Sequence, residues 1–218
     1  MFIVKLIPSR ILSLQARKPS GIIGRYVMTK IFNYGNADLN SFVKDMLALK
    51  KNDRILEIGF GPGKLINEIA EMTTEGVVEG IDFSVTMLKQ ASKVNKHHIL
   101  NGKVRLQKGE CSSLPFDNDS FDKLCSTNTL YFWKEPDKYL QEMFRVIKSG
   151  GKIVIGFRDD KQMGNLNLSD DIFTTYSLDE VVSLLSNAGF SGSHIVKKEG
   201  KPFLSYCAVA TKAKSQTP

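Results

Sequence analysis

"ILEIGFGPGK", residues 55–64, joins an apolar run to a turn holding three glycines, Gly59, Gly61 and Gly63, with the carboxylate of Glu57 just ahead of them. Glycine-rich turns that pass from a strand into a helix commonly cradle phosphate on backbone N–H groups. Two such patterns do not fit. A Walker loop needs Gly, four residues and then Gly-Lys-Ser/Thr, but position 58 is Ile and Gly63-Lys64 is followed by Leu65. A dinucleotide fingerprint needs G-x-G-x-x-G, whereas the chain has G-x-G-x-G, and Glu57 stands where a pyrophosphate would be repelled. Asp82 closes the next apolar run, "GVVEGID", the place from which a carboxylate accepts both ribose hydroxyls. The loop calls for a ribose without a phosphate.

Outward from this loop, apolar periodicity switches repeatedly between helical and strand-like. Leu39, Phe42, Val43 and Met46 share one helical face, "RILEIGF" reads as a buried strand, and Leu65, Ile66 and Ile69 return to helix. "GVVEGID" is a second strand, Val85, Leu88 and Ala91 mark a helix, "KVRLQKG" and "FDKLCS" are strands, Leu140, Met143, Phe144 and Ile147 a helix, and "GKIVIGF" a fifth strand. A capping box, Ser177 to Glu180, opens a helix that Gly189 ends, and two strands near 193–198 and 203–211 form a hairpin-like finish. Alternation of this kind predicts an α/β doubly wound sheet of seven strands, mostly parallel, with an antiparallel C-terminal strand. One domain over residues 38–212 is expected, with 1–37 as a helical cap and 213–218 as a disordered tail.

S-adenosylmethionine (SAM) meets the demand of the loop, because it carries an adenosine, an ammonium and a sulfonium but no phosphate. The motifs "ILEIGFGPGKL", "GIDFSVTML", "GECSSLPFDNDSFD", "RVIKSGGKIVIG" and "YSLDEVVSLLSNAGF" stand in order from about residue 40 to 211. Through them the chain resembles the class I SAM-dependent methyltransferases of the type 11 group, which includes the ubiquinone/menaquinone-biosynthesis enzymes. The resemblance implies a Rossmann-like fold with SAM as cofactor and S-adenosylhomocysteine as product. It implies that Gly59, Phe60, Gly61 and Gly63 pass close to the methionine portion, that Glu57 meets its ammonium, and that Asp82 binds the ribose. Phe83 and Met87 would flank the adenine. Glu110, where the family usually has Asp, would accept from the adenine amino group, and Cys111 would act through its backbone N–H. Ser126, Thr127 and Asn128 would touch the methionine moiety.

The segment "STNTLYFWKEPD" follows the fourth strand, at the edge of a doubly wound sheet where ligands bind. Tyr131, Phe132 and Trp133 are expected to wall an acceptor pocket there, with Tyr26, Tyr34 and Arg158 as further candidates; Arg158 could meet an acidic acceptor. Asn128-Thr129-Leu130-Tyr131 lacks the two prolines of enzymes that methylate exocyclic base amines, so nucleic acid is disfavoured and a small molecule preferred. No carboxylate ends the fourth strand to hold magnesium, so a metal-independent reaction is expected. No residue reads as a general base. An NAD(P)-dependent oxidoreductase and a non-catalytic binding protein on the same fold are the alternatives.

The formal charge of +7 is concentrated. Residues 1–37 hold Lys5, Arg10, Arg17, Lys18, Arg25 and Lys30 and no acid, which leaves the rest near neutrality. Such a start suits a lid over the site, a segment lying on anionic lipid, or a transit peptide. Lys5, Pro8 and Arg10 interrupt any secretory core, and no apolar run is long enough to span a bilayer. Three widely spaced cysteines without a CxxC pair suggest neither disulfides nor structural zinc, and fit a cytoplasmic protein.

Overall fold

The computed structural model describes residues 8–163, 169, 171–200 and 204–214. Seven strands form one sheet: β1 (Arg54–Ile58), β2 (Val77–Asp82), β3 (Val104–Lys108), β4 (Phe121–Thr127), β5 (Ile147–Phe157), β6 (Ser191–Lys198) and β7 (Ser205–Thr211). Their spatial order is β3-β2-β1-β4-β5-β7-β6. The first five pair in parallel, and β7 inserts antiparallel between β5 and β6. The order reverses between β1 and β4, and a cleft opens beyond the carboxyl ends of the strands at such a switch point.

Strand alternation sends successive side chains to opposite faces. Leu56 and Ile58 of β1 join one core with Leu140 and Met143 of α7 (Pro136–Val146) and Val181 and Leu185 of α9 (Leu178–Asn187). Ile55 points the other way, among Leu39 and Val43 of α3 (Ala37–Leu47), Ile66 and Ile69 of α4 (Lys64–Met72) and Ala91 of α5 (Val85–Val94). Burying each such aliphatic side chain contributes about 1.5–3 kcal/mol. Helices thus cover both faces, as a parallel sheet requires. Glu57 has the parity of Ile55, so the fold drives a carboxylate into the second of these cores.

Two boundaries differ from the periodicity. Ile147 begins β5 instead of ending α7, with φ −82° and ψ 139°. It is fully buried, so either assignment satisfies its hydrophobicity, and pairing with Phe121 decides it. The capping box at Ser177 and Glu180 forms as read. Of the segment expected to be a disordered tail, Ala213 accepts a hydrogen bond from Ser149 Oγ at 2.9 Å, and 215–218 lie outside the described residues. Part of the polar loop 158–173 also lies outside them; its described portion includes the short helix α8 (Asp160–Met163).

The basic N-terminal segment folds across the switch point. It comprises α1 (Ser9–Arg17), a π-helical stretch (Ile23–Met28) and α2 (Thr29–Gly35), which kinks at Asn36 into α3. Ser84 Oγ donates to Pro19 O at 2.7 Å, Arg158 Nη2 to Gly35 O at 3.0 Å and Asn128 Nδ2 to Asn36 Oδ1 at 2.9 Å. Arg10 meets Asp171 at 3.2 Å, so α1 also reaches the 158–173 loop. Gly24 is a packing site within the N-terminal segment: a Cβ there would lie 2.6 Å from the Pro19 backbone.

Candidate active site

Beneath this cover lies a cavity of about 560 Å³, within the range that encloses cofactor-sized ligands. Its floor is the β1–α4 turn. Gly59, Gly61 and Gly63 have φ of +72°, +52° and +82°. A side chain on Gly59 would collide with the Thr129 methyl, and one on Gly63 would come within 2.6 Å of Ala91 Cβ. Gly61 alone faces open space, with only Phe32 of the cover nearby. Gly63 does not line the cavity; it caps α4 in the left-handed conformation, and its carbonyl accepts from Asn95 Nδ2 at 2.9 Å. Its expected place against the cofactor is therefore corrected to helix packing.

Glu57 is 2% exposed and lines the cavity with Oε2 unpartnered. Burial, then the charges of Asp82 and Glu68, raise its pKa to about 8, against a smaller opposing effect of the Ile66 backbone N–H. A buried polar atom without a partner costs free energy unless something enters to meet it. Asp82 is held from both sides: Oδ2 accepts from Gly61 N at 2.9 Å and Oδ1 from Ser84 N at 2.8 Å. Burial raises its pKa to about 6, with those two N–H groups resisting and Glu110 adding to the rise. Each oxygen keeps a lone pair for a further donor.

Phe60, Phe83, Met87, Glu110 and Cys111 all line the cavity, and the cover's Lys18 lies over the Phe83 ring at 5.6 Å. The Cys111 thiol is pushed far up by burial and then by Glu142 and Glu110, so it stays protonated and unreactive. At the end of β4, Thr127 and Asn128 line the cavity, and Thr127 Oγ1 is buried without a partner. Ser126 does not line it: its hydroxyl donates to Ile58 O at 2.9 Å and meets Thr129 Oγ1. The shape of the turn accounts for this, since Asn128 adopts φ +53° and swings the chain outward after Ser126 has turned into the sheet.

Tyr131, Phe132 and Trp133 line the opposite wall with Phe173 and Met163. The Tyr131 hydroxyl accepts from Arg158 N at 2.6 Å, and burial holds its pKa above the ordinary value. Tyr131→Phe is expected to cost about 1–3 kcal/mol in chemical denaturation, because it leaves that buried N–H without an acceptor. Arg158 lines the cavity, but its guanidinium donates to Gly35 O and so ties the cover to β5, where the sequence suggested a receiver of an acidic acceptor. Tyr26 and Tyr34 are also displaced from the expected site. They are 58% and 83% exposed and do not line the cavity.

The helices ahead of β1 supply wall residues that motif reading missed, among them Asn33 and Asn36 of the cover and Asn40 of α3. Their spacing of three and four is a helical stripe, a signal present in the sequence but hidden by the break at Asn36. Asn33 Oδ1 is a further buried atom without a partner. His97 and His98 lie on α6 (Lys96–Leu100), away from this cavity. Among the described residues no cluster of His, Cys, Asp or Glu could hold a metal ion.

Sheet order, glycine turn and the two buried carboxylates define a class I methyltransferase fold around this cavity. Residues 56–155 match the family described as a methyltransferase domain. Over 177 residues the chain is 30% identical to the uncharacterized methyltransferase YdaC of Bacillus subtilis, covering 81% of this chain and 93% of that one. It is 29% identical over 130 residues to the ubiquinone/menaquinone biosynthesis C-methyltransferase UbiE of Geotalea daltonii, of which it covers 55%. A SAM-dependent methyltransferase structure from Aquifex aeolicus superposes with TM-score 0.70 at 23% identity, over 86% of this chain and 97% of that one. The chain belongs to the SAM-dependent methyltransferases.

Proposed function

We propose that the protein transfers the methyl group of SAM to a small, largely apolar acceptor held between the β4–α7 segment and the N-terminal cover. The observation that carries this reading is the unpartnered Oε2 of Glu57, buried in the cavity wall beside the glycine turn, where an ammonium would meet it. The fit to SAM rests on residues present. Glu57 would receive the methionyl ammonium, Asp82 the ribose hydroxyls, Phe83 and Met87 the adenine faces, Glu110 its amino group, and Thr127 and Asn128 the methionine chain. Gly61 leaves the room these contacts need. NAD(P) is disfavoured by the glycine spacing, which is G-x-G-x-G where a dinucleotide turn needs G-x-G-x-x-G.

When bound, SAM supplies a methyl group on a sulfonium, which is already a good leaving group. The protein's task is then alignment and exclusion of water. Proximity and in-line orientation together contribute about 7–11 kcal/mol. Phe32, Trp133, Met163 and Phe173 form apolar walls for an acceptor, and Asn33 offers it one hydrogen-bonding atom. Tyr131 and Trp133 line the cavity, and a cation over either ring would gain about 0.5–2 kcal/mol.

Incubation with methyl-labelled SAM and fractionated extract, followed by mass spectrometry, should reveal label on a small apolar compound. Label confined to protein or RNA would refute the acceptor class. In a thermal-shift screen, SAM and S-adenosylhomocysteine should raise the melting temperature and NADH or NADPH should not.

A further inference from the structure

Two stretches of this chain carry no acid at all: residues 1–37, and residues 83–109, which run from Phe83 through α5, α6 and β3. Together they hold twelve of the 30 Lys and Arg and none of the 23 Asp and Glu, so the remainder of the chain is net −5. The fold brings the two together. The π-helical stretch packs on α5, and the Ser84–Pro19 hydrogen bond fastens the cover at the head of that helix. The described part of the basic cover thus packs beside a second acid-free stretch.

The outer surface of the cover is apolar as well as basic. Ile22, Tyr26, Lys30 and Tyr34 follow each other at intervals of four, with Arg25 beside Tyr26, and all five are exposed. Ile22 is 79% exposed, so the stripe combines large apolar side chains with cations in the open. At the start of α1, Arg10 and Ile11 are exposed side by side, with Arg10 paired to Asp171, whereas Leu14 and Lys18 further along line the cavity. The inward residues of the same segment, Ile31, Phe32 and Asn33, line the cavity. A single layer of helix therefore separates the acceptor space from this face.

We infer that the cover is a docking surface for an anionic lipid bilayer, lying in its headgroup region with the cavity directly behind it. Tyrosines and aliphatics interleaved with Lys and Arg suit the bilayer interface, where rings and methyl groups enter the acyl boundary while cations meet lipid phosphates. A nucleic acid would answer the cations but gains little from Ile22 and Ile11. Among the described residues no helix is long and apolar enough to cross a membrane, so contact is peripheral. Delivery of an apolar acceptor from the bilayer into the cavity rests on the methyl-transfer reading; the docking itself does not.

Sedimentation of the full chain with vesicles tests this. Partitioning onto vesicles of phosphatidylcholine mixed with phosphatidylglycerol should exceed that onto phosphatidylcholine alone by at least about tenfold, and fall as salt rises. The triple variant Ile22→Gln, Tyr26→Gln, Tyr34→Gln should lose about tenfold in partitioning, and Arg25→Glu with Lys30→Glu at least as much. Both variants should keep the full thermal shift with SAM, since none of these side chains lines the cavity, and this shows that they are folded. Equal binding to neutral and anionic vesicles would overturn the inference, as would variants that bind like the parent or displacement from vesicles by RNA. Docking without any SAM shift would instead refute the cofactor assignment and leave docking intact.

Discussion

Asp82→Ala is expected to weaken SAM binding by about 10- to 100-fold and to abolish the SAM-induced thermal shift at cofactor concentrations that stabilise the parent. The magnitude follows from losing charge-assisted hydrogen bonds to the ribose, about 1.5–3 kcal/mol in a buried setting. The same carboxylate accepts from the N–H groups of Gly61 and Ser84, so its removal also loosens the glycine turn. Asp82→Asn separates the two effects. Its amide keeps one acceptor oxygen for a backbone N–H, but its NH2 cannot accept from a hydroxyl. An intermediate loss is therefore expected, measured by isothermal calorimetry. Unchanged affinity in both variants would remove the ribose assignment.

The second large effect is a pH dependence set by Glu57. Its pKa in the folded protein is raised from 4.5 to about 8, so folding favours the protonated side chain. For an acid shifted upward, the stability of the ligand-free protein falls as pH rises from the ordinary value to the raised one. Thermal melts without cofactor should accordingly decline across that window, and Glu57→Gln should flatten the decline. Asp82, raised from 3.8 to about 6, contributes the lower part of it. Binding reverses the preference, because the methionyl ammonium needs the carboxylate form. Below about pH 8 binding should release a proton, and affinity should drop by up to about tenfold per pH unit. Above that, the amino group of the cofactor itself begins to deprotonate, with a pKa of about 8, so affinity should peak near there. Calorimetry in buffers of different ionisation enthalpy reads the proton count directly. Binding of SAM with no proton release at neutral pH would show that Glu57 does not meet the ammonium.

These two carboxylates illustrate what a linear reading can see. Asp82 ends its strand and Glu57 stands one residue before the end of its own, and their apolar neighbours fix both strands, so the sequence places both at the carboxyl edge of a parallel sheet. The glycines are only half legible. Their positive φ values follow from the spacing, but Gly63 serves the α4–α5 contact with Ala91 and Asn95, residues far along the chain. Tyr26 and Tyr34 lie away from the cavity, whereas Arg158 lines it while also holding the cover. Aromatic or cationic character near a lid suggested contact with an acceptor, yet the helical phase of the cover turns both tyrosines outward. Arg158 is drawn to the Gly35 carbonyl at the end of α2, a group that has no partner within its own helix.

Local order thus determined the elements and their sequence: period two against period three and a half, a glycine turn after a strand, a capping box before Val181. It also pointed to the cofactor class, since the glycine spacing departs from that of dinucleotide turns and a carboxyl group stands just ahead of it. Tertiary structure alone decided which side of the N-terminal helices faces the cavity, because that phase depends on bonds such as Ser84 to Pro19 and Asn128 to Asn36. It also decided that two acid-free stretches separated by about fifty residues share one face. Chain distance carries no information about such contacts, and only the packing of the π-helical stretch on α5 creates them.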